Sequence, residues 1–302
     1  MRFFRLILWI ASAGALSALA GAAPPFSSGP PTGMASNRPY YNNCTVCHSG
    51  TVNSGSGSVV LTGVPMVYTP GSTYLITVTD TDMTAKRWGF ELIAQRSNGS
   101  MGGAFSLTDL VNTQLVPGGG GLDYIMHTTT GTYAGMSGPR SWSVNWTAPP
   151  LADGDIAFTV SGNCANNNSF NNGDKIYNGA VMSAAPDGSI PDALLIGQPN
   201  LTNPRRSSSW IINGRVRNTL GVSATYDVVT RIRMPNGSYY PPTGWFGGPL
   251  SITLAAGASG SVRFTHTVPT QAPLITATYE MYLRTPAGAV VYQDSFVFTV
   301  AP

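Results

Sequence analysis

From residue 59 onward the chain alternates apolar and polar positions with a period of two. Tyr74, Ile76 and Val78 share one face of residues 73–79. Trp142, Val144 and Trp146 share one face of residues 142–147. This alternation marks half-buried strands, because successive side chains point to opposite faces of a sheet. Runs at 59–61, 88–94, 122–129 and 156–161 extend the series, with Gly, Pro, Asn and Asp clusters between them. A second set falls near 209–217, 226–234, 250–254, 260–267, 277–285 and 289–300, where Phe296, Phe298 and Val300 alternate. Short strands separated by turn residues predict an all-β chain of antiparallel sandwiches. Six or seven short strands in about 100 residues make the second set Ig-like. Two Pro-containing turn clusters predict a linker over 185–204, between a first sandwich at 59–184 and a second at 205–302.

The segment before the strands follows no such period. Residues 1–22 open with a basic stretch (Arg2, Arg5), continue with an apolar run from Leu6 to Ala15 and end in small residues. That is the plan of a cleaved secretory signal, too short in its apolar part to span a bilayer. No later stretch is long and apolar enough to span one, so the mature chain is expected to be exported, in the periplasm or at the cell surface. Residues 23–58 are rich in Pro, Ser, Gly and Asn and predict an extended arm without a core of its own.

Composition agrees with this picture and narrows the function. The 302 residues include 35 Gly and 23 Pro, with only 10% charged. Losing Arg2 and Arg5 lowers 16 basic side chains to 14 against 13 acidic ones. So balanced a chain has no nucleic-acid footprint and no polybasic membrane patch. No Ser-His-Asp or Cys-His set can be built from three scattered histidines, and no phosphate loop is present, so no enzyme is expected.

One stretch of the arm does carry chemistry. Cys44-Thr45-Val46-Cys47-His48 holds two of the three cysteines and one of the three histidines. The pattern C-x-x-C-H is that of c-type haem attachment. Two thiols add to the two vinyl groups of one haem, and the next His becomes the proximal iron ligand. Chance gives on the order of 10⁻⁴ such matches in a chain of this composition. A C-x-x-C disulfide with an incidental His is the rival. A zinc site would want a second close ligand pair, and a thioredoxin-like site a βαβ setting. Cys164 is left as a lone, small buried residue.

The iron's second axial position has several candidates. His127 lies on an expected strand, next to Met126, whose side chain points to the opposite face. Met101 and Met136 sit on Gly-rich loops. An open site is the last option. A His ligand gives a low-potential bis-His centre, and a Met raises the potential. Asp80, Asp82, Asp153, Asp155 and Asp174 form no calcium loop and read as turn caps. Trp142 and Trp146 read as core.

Several of these residues also carry a family resemblance. Gly63-Val-Pro65, Tyr68-Thr-Pro-Gly71 and Thr73 to Val78 look like the opening of a Reeler domain. Gly89-Phe-Glu-Leu92, His127, Trp142 to Pro149, Gly162-Asn163 with Asn166, and Gly173-Asp174 continue it in order. Over about residues 40–184 the chain resembles bacterial Reeler-like proteins of the choice-of-anchor type, in which a C-x-x-C-H motif can precede the sandwich. The resemblance implies an Ig-like β-sandwich for the first domain and surface location, and little about activity. Cys164 departs from it, where a small residue such as Ala is expected. The paired cysteines of animal Reeler domains are missing, which argues against disulfide stapling.

The chain is therefore expected to be all-β: two Ig-like sandwiches preceded by a signal peptide and an extended haem-bearing arm. Its expected role is that of an exported monohaem c-type cytochrome transferring single electrons to a redox partner protein or within a surface assembly. Cys44 and Cys47 would hold one covalent haem c, His48 would be the proximal iron ligand and His127 the distal one. The alternative is a non-catalytic adhesion or scaffold protein.

Overall fold

The period-two runs become strands in the computed structural model, which describes residues 26–186 and 190–302. The expected signal peptide, 1–22, lies outside the described residues. The first sandwich contains β1 (Ser58–Thr62), β2 (Thr73–Thr81), β3 (Arg87–Arg96), β4 (Ala104–Leu107), β5 (Thr113–Pro117), β6 (Asp123–His127), β7 (Arg140–Thr147), β8 (Ile156–Ala165) and β9 (Lys175–Ser183). One sheet runs β1-β2-β7-β4, the other β5-β6-β3-β8-β9. Strand pairs within both are antiparallel.

The register explains the alternation. Tyr74 faces Trp146, Ile76 faces Val144 and Val78 faces Trp142 across β2 and β7, all on the inner face. The other face carries hydroxyl pairs, Thr73 with Thr147, Thr77 with Ser143 and Thr79 with Ser141, at 2.8–2.9 Å. Such cross-strand pairs hold register on the wet side, while burial of the facing apolar rings supplies the larger stabilisation. Trp142 and Trp146 are core residues, each giving its indole N–H to a backbone carbonyl.

β3 and β8 behave differently. Nearly every residue along them is buried, on both faces. Trp88, Phe90, Leu92, Phe158 and Val160 fill the inner core. The outer face is covered by the arm. Ala35 packs on Ile93, Tyr124 and Met126, and Cys44 and Val52 pack on Ile176. Tyr41 reaches further, into the core of the second sandwich, edge-on to Phe296 at 5.7 Å. Arg38 pairs with Asp294 and donates to the Ser295 carbonyl. So the arm has no core of its own, yet its apolar residues complete two others. Their spacing follows each dent in the sheet below and obeys no period.

The second sandwich contains β10 (Ala193–Pro199), β11 (Ser209–Asn218), β12 (Ala224–Arg233), β13 (Tyr239–Tyr240), β14 (Gly247–Leu254), β15 (Ser259–Thr267), β16 (Thr276–Arg284) and β17 (Val290–Thr299). Its sheets run β10-β11-β15 and β13-β12-β16-β17, with β14 also on β12. Here the expected linker over 185–204 is corrected. It contains β10, buried along its whole length. Ala193 and Leu195 enter the second core, whereas Leu194 and Ile196 pack on Ala157, Ala180 and Met182 of the first sandwich. The prolines lie at the ends of this strand, and the Ala193–Ile196 run between them is short, apolar and buried on both faces.

Candidate functional site

Asn43 begins the site. Its side-chain oxygen accepts the Thr45 backbone N–H at 3.0 Å and the Thr45 hydroxyl at 2.7 Å, capping a single helical turn at Cys44–Val46. The Cys44 carbonyl then accepts the N–H of Cys47 at 3.3 Å and of His48 at 2.9 Å. Residues three and four apart share one side of such a turn. Cys44, Cys47 and His48 therefore line one cleft together, while Val46 points away and is exposed.

The loop between β8 and β9 grips this turn. Asn171 donates to the Cys47 carbonyl at 2.8 Å. Asp174, nearly fully buried, lies 2.6 Å from Nδ1 of His48 and also accepts the Asn166 N–H. With Nδ1–H donated to the carboxylate, the His48 lone pair sits on Nε2. The Asn163 amide nitrogen is 3.2 Å from both ring nitrogens, so it lies across the ring face. A carboxylate behind a histidine in this way fixes the tautomer and the orientation of the ring.

Cys44 is the buried thiol of the pair. Its N–H donates to Ser161 Oγ at 3.2 Å, and that hydroxyl donates back to Sγ at 3.3 Å. Burial pushes the thiol up to about 12 although the Ser161 hydrogen bond lowers it, so the group stays protonated at neutral pH. Cys47 is partly open, and neither cysteine is in a disulfide. Cys164 lies in the inner core, where burial raises its thiol, and faces away from the cleft.

His127 enters the same cleft from the end of β6, 79 positions after His48 (127 − 48). Gly89 makes room for it: a Cβ there would lie 2.7 Å from ring Cε1. Nδ1 is 3.0 Å from the Phe90 N–H donor and 3.3 Å from the Phe90 carbonyl. Burial lowers its pKa to about 4, against the raising effect of hydrogen bonds to the Phe90 and Phe26 carbonyls. The ring is thus neutral at pH 7, the form that binds metals. Of the other axial candidates, Met126 packs under the arm on Ile93 and Tyr124. Met101 and Met136 are not among the residues lining the cleft, and Met34 of the arm is.

The cleft measures about 760 Å³ out to its open mouth, and its enclosed part about 80 Å³. Phe26, Pro30 and Pro31 of the arm narrow it, and exposed Phe170 stands among its lining residues. Among the described residues no group of three or more His, Cys, Asp or Glu side chains is arranged to hold a bare metal ion. Of the acids read as turn caps, Asp82 accepts from Thr84 two residues on and from Tyr177 of β9, and Asp155 accepts the Ala185 N–H and the Tyr292 hydroxyl of the second sandwich. Asp80 differs, being fully buried with both carboxyl oxygens unpartnered, and burial raises its pKa. In the sequence Asp174 reads as a turn cap and as part of the Reeler resemblance. No local signal links it to His48, since 126 residues separate them.

No protein-family model matches the chain, and no curated protein matches it. Solved structures similar to it include the Reeler domain of human F-spondin. That match is 23% identical and covers 44% of this chain and 94% of the other, with a TM-score of 0.32. The Reelin-N domain of F-spondin is 21% identical, covers 48% and 96%, and has a TM-score of 0.34. A Bacteroides uniformis beta-glucuronidase is similar over 89% of this chain and 30% of its own, at 13% identity and a TM-score of 0.32. Likenesses this distant carry no residue role and no activity.

Proposed function

We propose that the cleft is the seat of one covalent haem c and that the chain is an exported one-electron carrier. The observation that carries this reading is the convergence of four side chains on one cleft: the thiols of Cys44 and Cys47, His48 backed by Asp174, and His127 from another strand. The donor types fit the group. Two unpaired thiols on one turn would attach it, His48 Nε2 is left with its lone pair for iron, and His127 is neutral. When bound, the haem supplies one-electron chemistry at iron, with a potential set largely by the second ligand.

The chain's own residues would tune that site. Asp174 holds the His48 ring in one tautomer, and Gly89 leaves the space in which the His127 ring stands. For His127 to offer Nε2, its Nδ1–H must donate to the Phe90 carbonyl, and the ring must release the Phe26 carbonyl. Loading therefore requires arm residues 26–31 to move aside, which also widens the enclosed part of the cleft.

That narrowness favours the second reading. With Cys44 buried against Ser161 and the arm filling the mouth, the same five residues would pin the arm to a scaffold or adhesion protein. Production of the chain alongside c-haem maturation machinery separates the two. The expected product is red, keeps haem after denaturation and loses it in the Cys44→Ala, Cys47→Ala double variant. A colourless product under conditions that load a control cytochrome would overturn the haem reading. His127→Ala should convert a six-coordinate, low-spin spectrum to one with an open position. An unchanged spectrum removes His127 from the iron.

A further inference from the structure

The outer face of the second sandwich carries two cations with no anion. On β12 and β16, Arg231 stands directly opposite Glu280. That carboxylate is already taken: Arg233 donates to it at 2.7 Å and the Tyr282 hydroxyl donates to its other oxygen. Arg231 instead stacks over Tyr239 at 4.1 Å and lies 5.7 Å from the centre of Trp245. Arg284 lies 5.1 Å from the same indole. Its cross-strand neighbour Asp227 accepts the Ser251 hydroxyl and, among the described residues, forms no ion pair. Among the described residues, neither Arg231 nor Arg284 has a carboxylate partner, and the Nε of each is out of water without an acceptor.

Aromatic stacking holds a guanidinium plane but leaves its donor edge unused. The buried Nε of each arginine is closed to an incoming group, so an anion would meet the part of the guanidinium side chain that stays partly exposed, in a charge-assisted hydrogen bond. The neighbouring rings say what kind of anion. Trp245, Tyr239 and Tyr282 are half-buried on this face, whereas Tyr240 turns to the other side of its strand, against Phe246, so three amphipathic rings accompany the two arginines. Such rings suit the C–H faces and hydroxyls of sugars. Two free arginines are too few for a nucleic acid, whose binding neutralises on the order of 6–10 phosphates.

We propose that this face binds an acidic polysaccharide, with Arg231 and Arg284 taking sugar carboxylates and the Trp245 cluster supporting the rings. The site is independent of the haem reading. Affinity electrophoresis of the full chain through gels holding polygalacturonate, dextran or duplex DNA tests it. Retardation is expected in polygalacturonate alone. The Arg231→Ala, Arg284→Ala double variant should bind about tenfold more weakly or worse. Arg231→Lys with Arg284→Lys keeps charge and fold but loses the planar fork, and should also bind more weakly. Absence of retardation of the natural chain at low salt would overturn the proposal. So would equal retardation by DNA, or lysine variants that bind as well as the natural chain.

Discussion

Each sandwich shields one histidine near the end of a strand from water, His127 more fully than His266, and the two have opposite fates. His127 and His266 are both pushed down to about 4, chiefly by burial. His266 has its Nε2 on the Tyr279 hydroxyl at 2.8 Å and its ring against Phe246 at 4.4 Å. Its neighbours are aromatic rings, and among the described residues that line its pocket there is no thiol, carboxylate or second histidine. His127 faces a second histidine, two thiols and a buried carboxylate behind that histidine. The sandwich fold supplies an imidazole with a lowered pKa in both cases, buried in the first and half-buried in the second. What makes a site of one is the arm, which lays Cys44, Cys47 and His48 against it.

The largest test of this contrast is to loosen the arm where it is anchored in the other sandwich. Tyr41 adopts a left-handed backbone, φ 55°, which costs an ordinary residue roughly 1–2 kcal/mol. It does so while almost wholly buried on Phe296. Packing must therefore outweigh the strain. Tyr41→Ala should cost about 3–5 kcal/mol in urea unfolding. Tyr41→Phe should be near neutral, because the hydroxyl is buried without a partner. A Tyr41→Ala variant as stable as the natural chain would show that the arm is not held this way.

The pH dependence of the haem-free protein sharpens the comparison at a smaller scale. An unfolded histidine takes its proton near pH 6.5, and folded His127 refuses it until about 4. Its share of stability is therefore full above pH 6.5 and is lost as pH falls towards 4. The loss approaches about 3 kcal/mol for a fully buried ring. His266 is half-buried, so solvent reduces its share. Urea midpoints at pH 7 and pH 4.5 should converge more in His127→Asn than in His266→Asn. The reverse order would mean that the arm does not seal the first histidine from water.

Much of this is legible in the sequence. The alternation of Trp142, Val144 and Trp146 marks a strand because period two is a local property. The Cys44–His48 motif is local too, and its spacing matches the single helical turn that turns three donors one way. The illegible parts are those with no local signature. Asp174 reaches His48 only because the β8–β9 loop folds over the turn. Ala35, Tyr41, Cys44 and Val52 are buried at irregular spacing, each dictated by the sheet beneath. The short apolar run of β10 reads as a linker because Pro191 and Pro199 bracket it, and only pairing with β11 makes it a strand.

The finest test sits on two glycines, one under each half of the comparison. Gly89→Ala would put a methyl 2.7 Å from the His127 ring, which is clamped between β3 and the arm. A rigid ring cannot yield, so this change should cost about 1–3 kcal/mol and shift the His127 ring resonances in NMR spectra. Gly214→Ala, on β11, comes to 3.0 Å from Val262 Cγ2, which must give by a few tenths of an ångström, and closest, at 2.8 Å, meets Met281 Cε. That atom is the free end of a flexible side chain, able to rotate aside. The cost there should stay below about 1 kcal/mol, with His266 resonances unmoved. The two clashes are nearly equal in distance, so a difference in cost measures how firmly the arm holds its histidine. Equal costs would mean that His127 is as free to yield as a methionine tip, and the first sandwich would then owe nothing special to the arm.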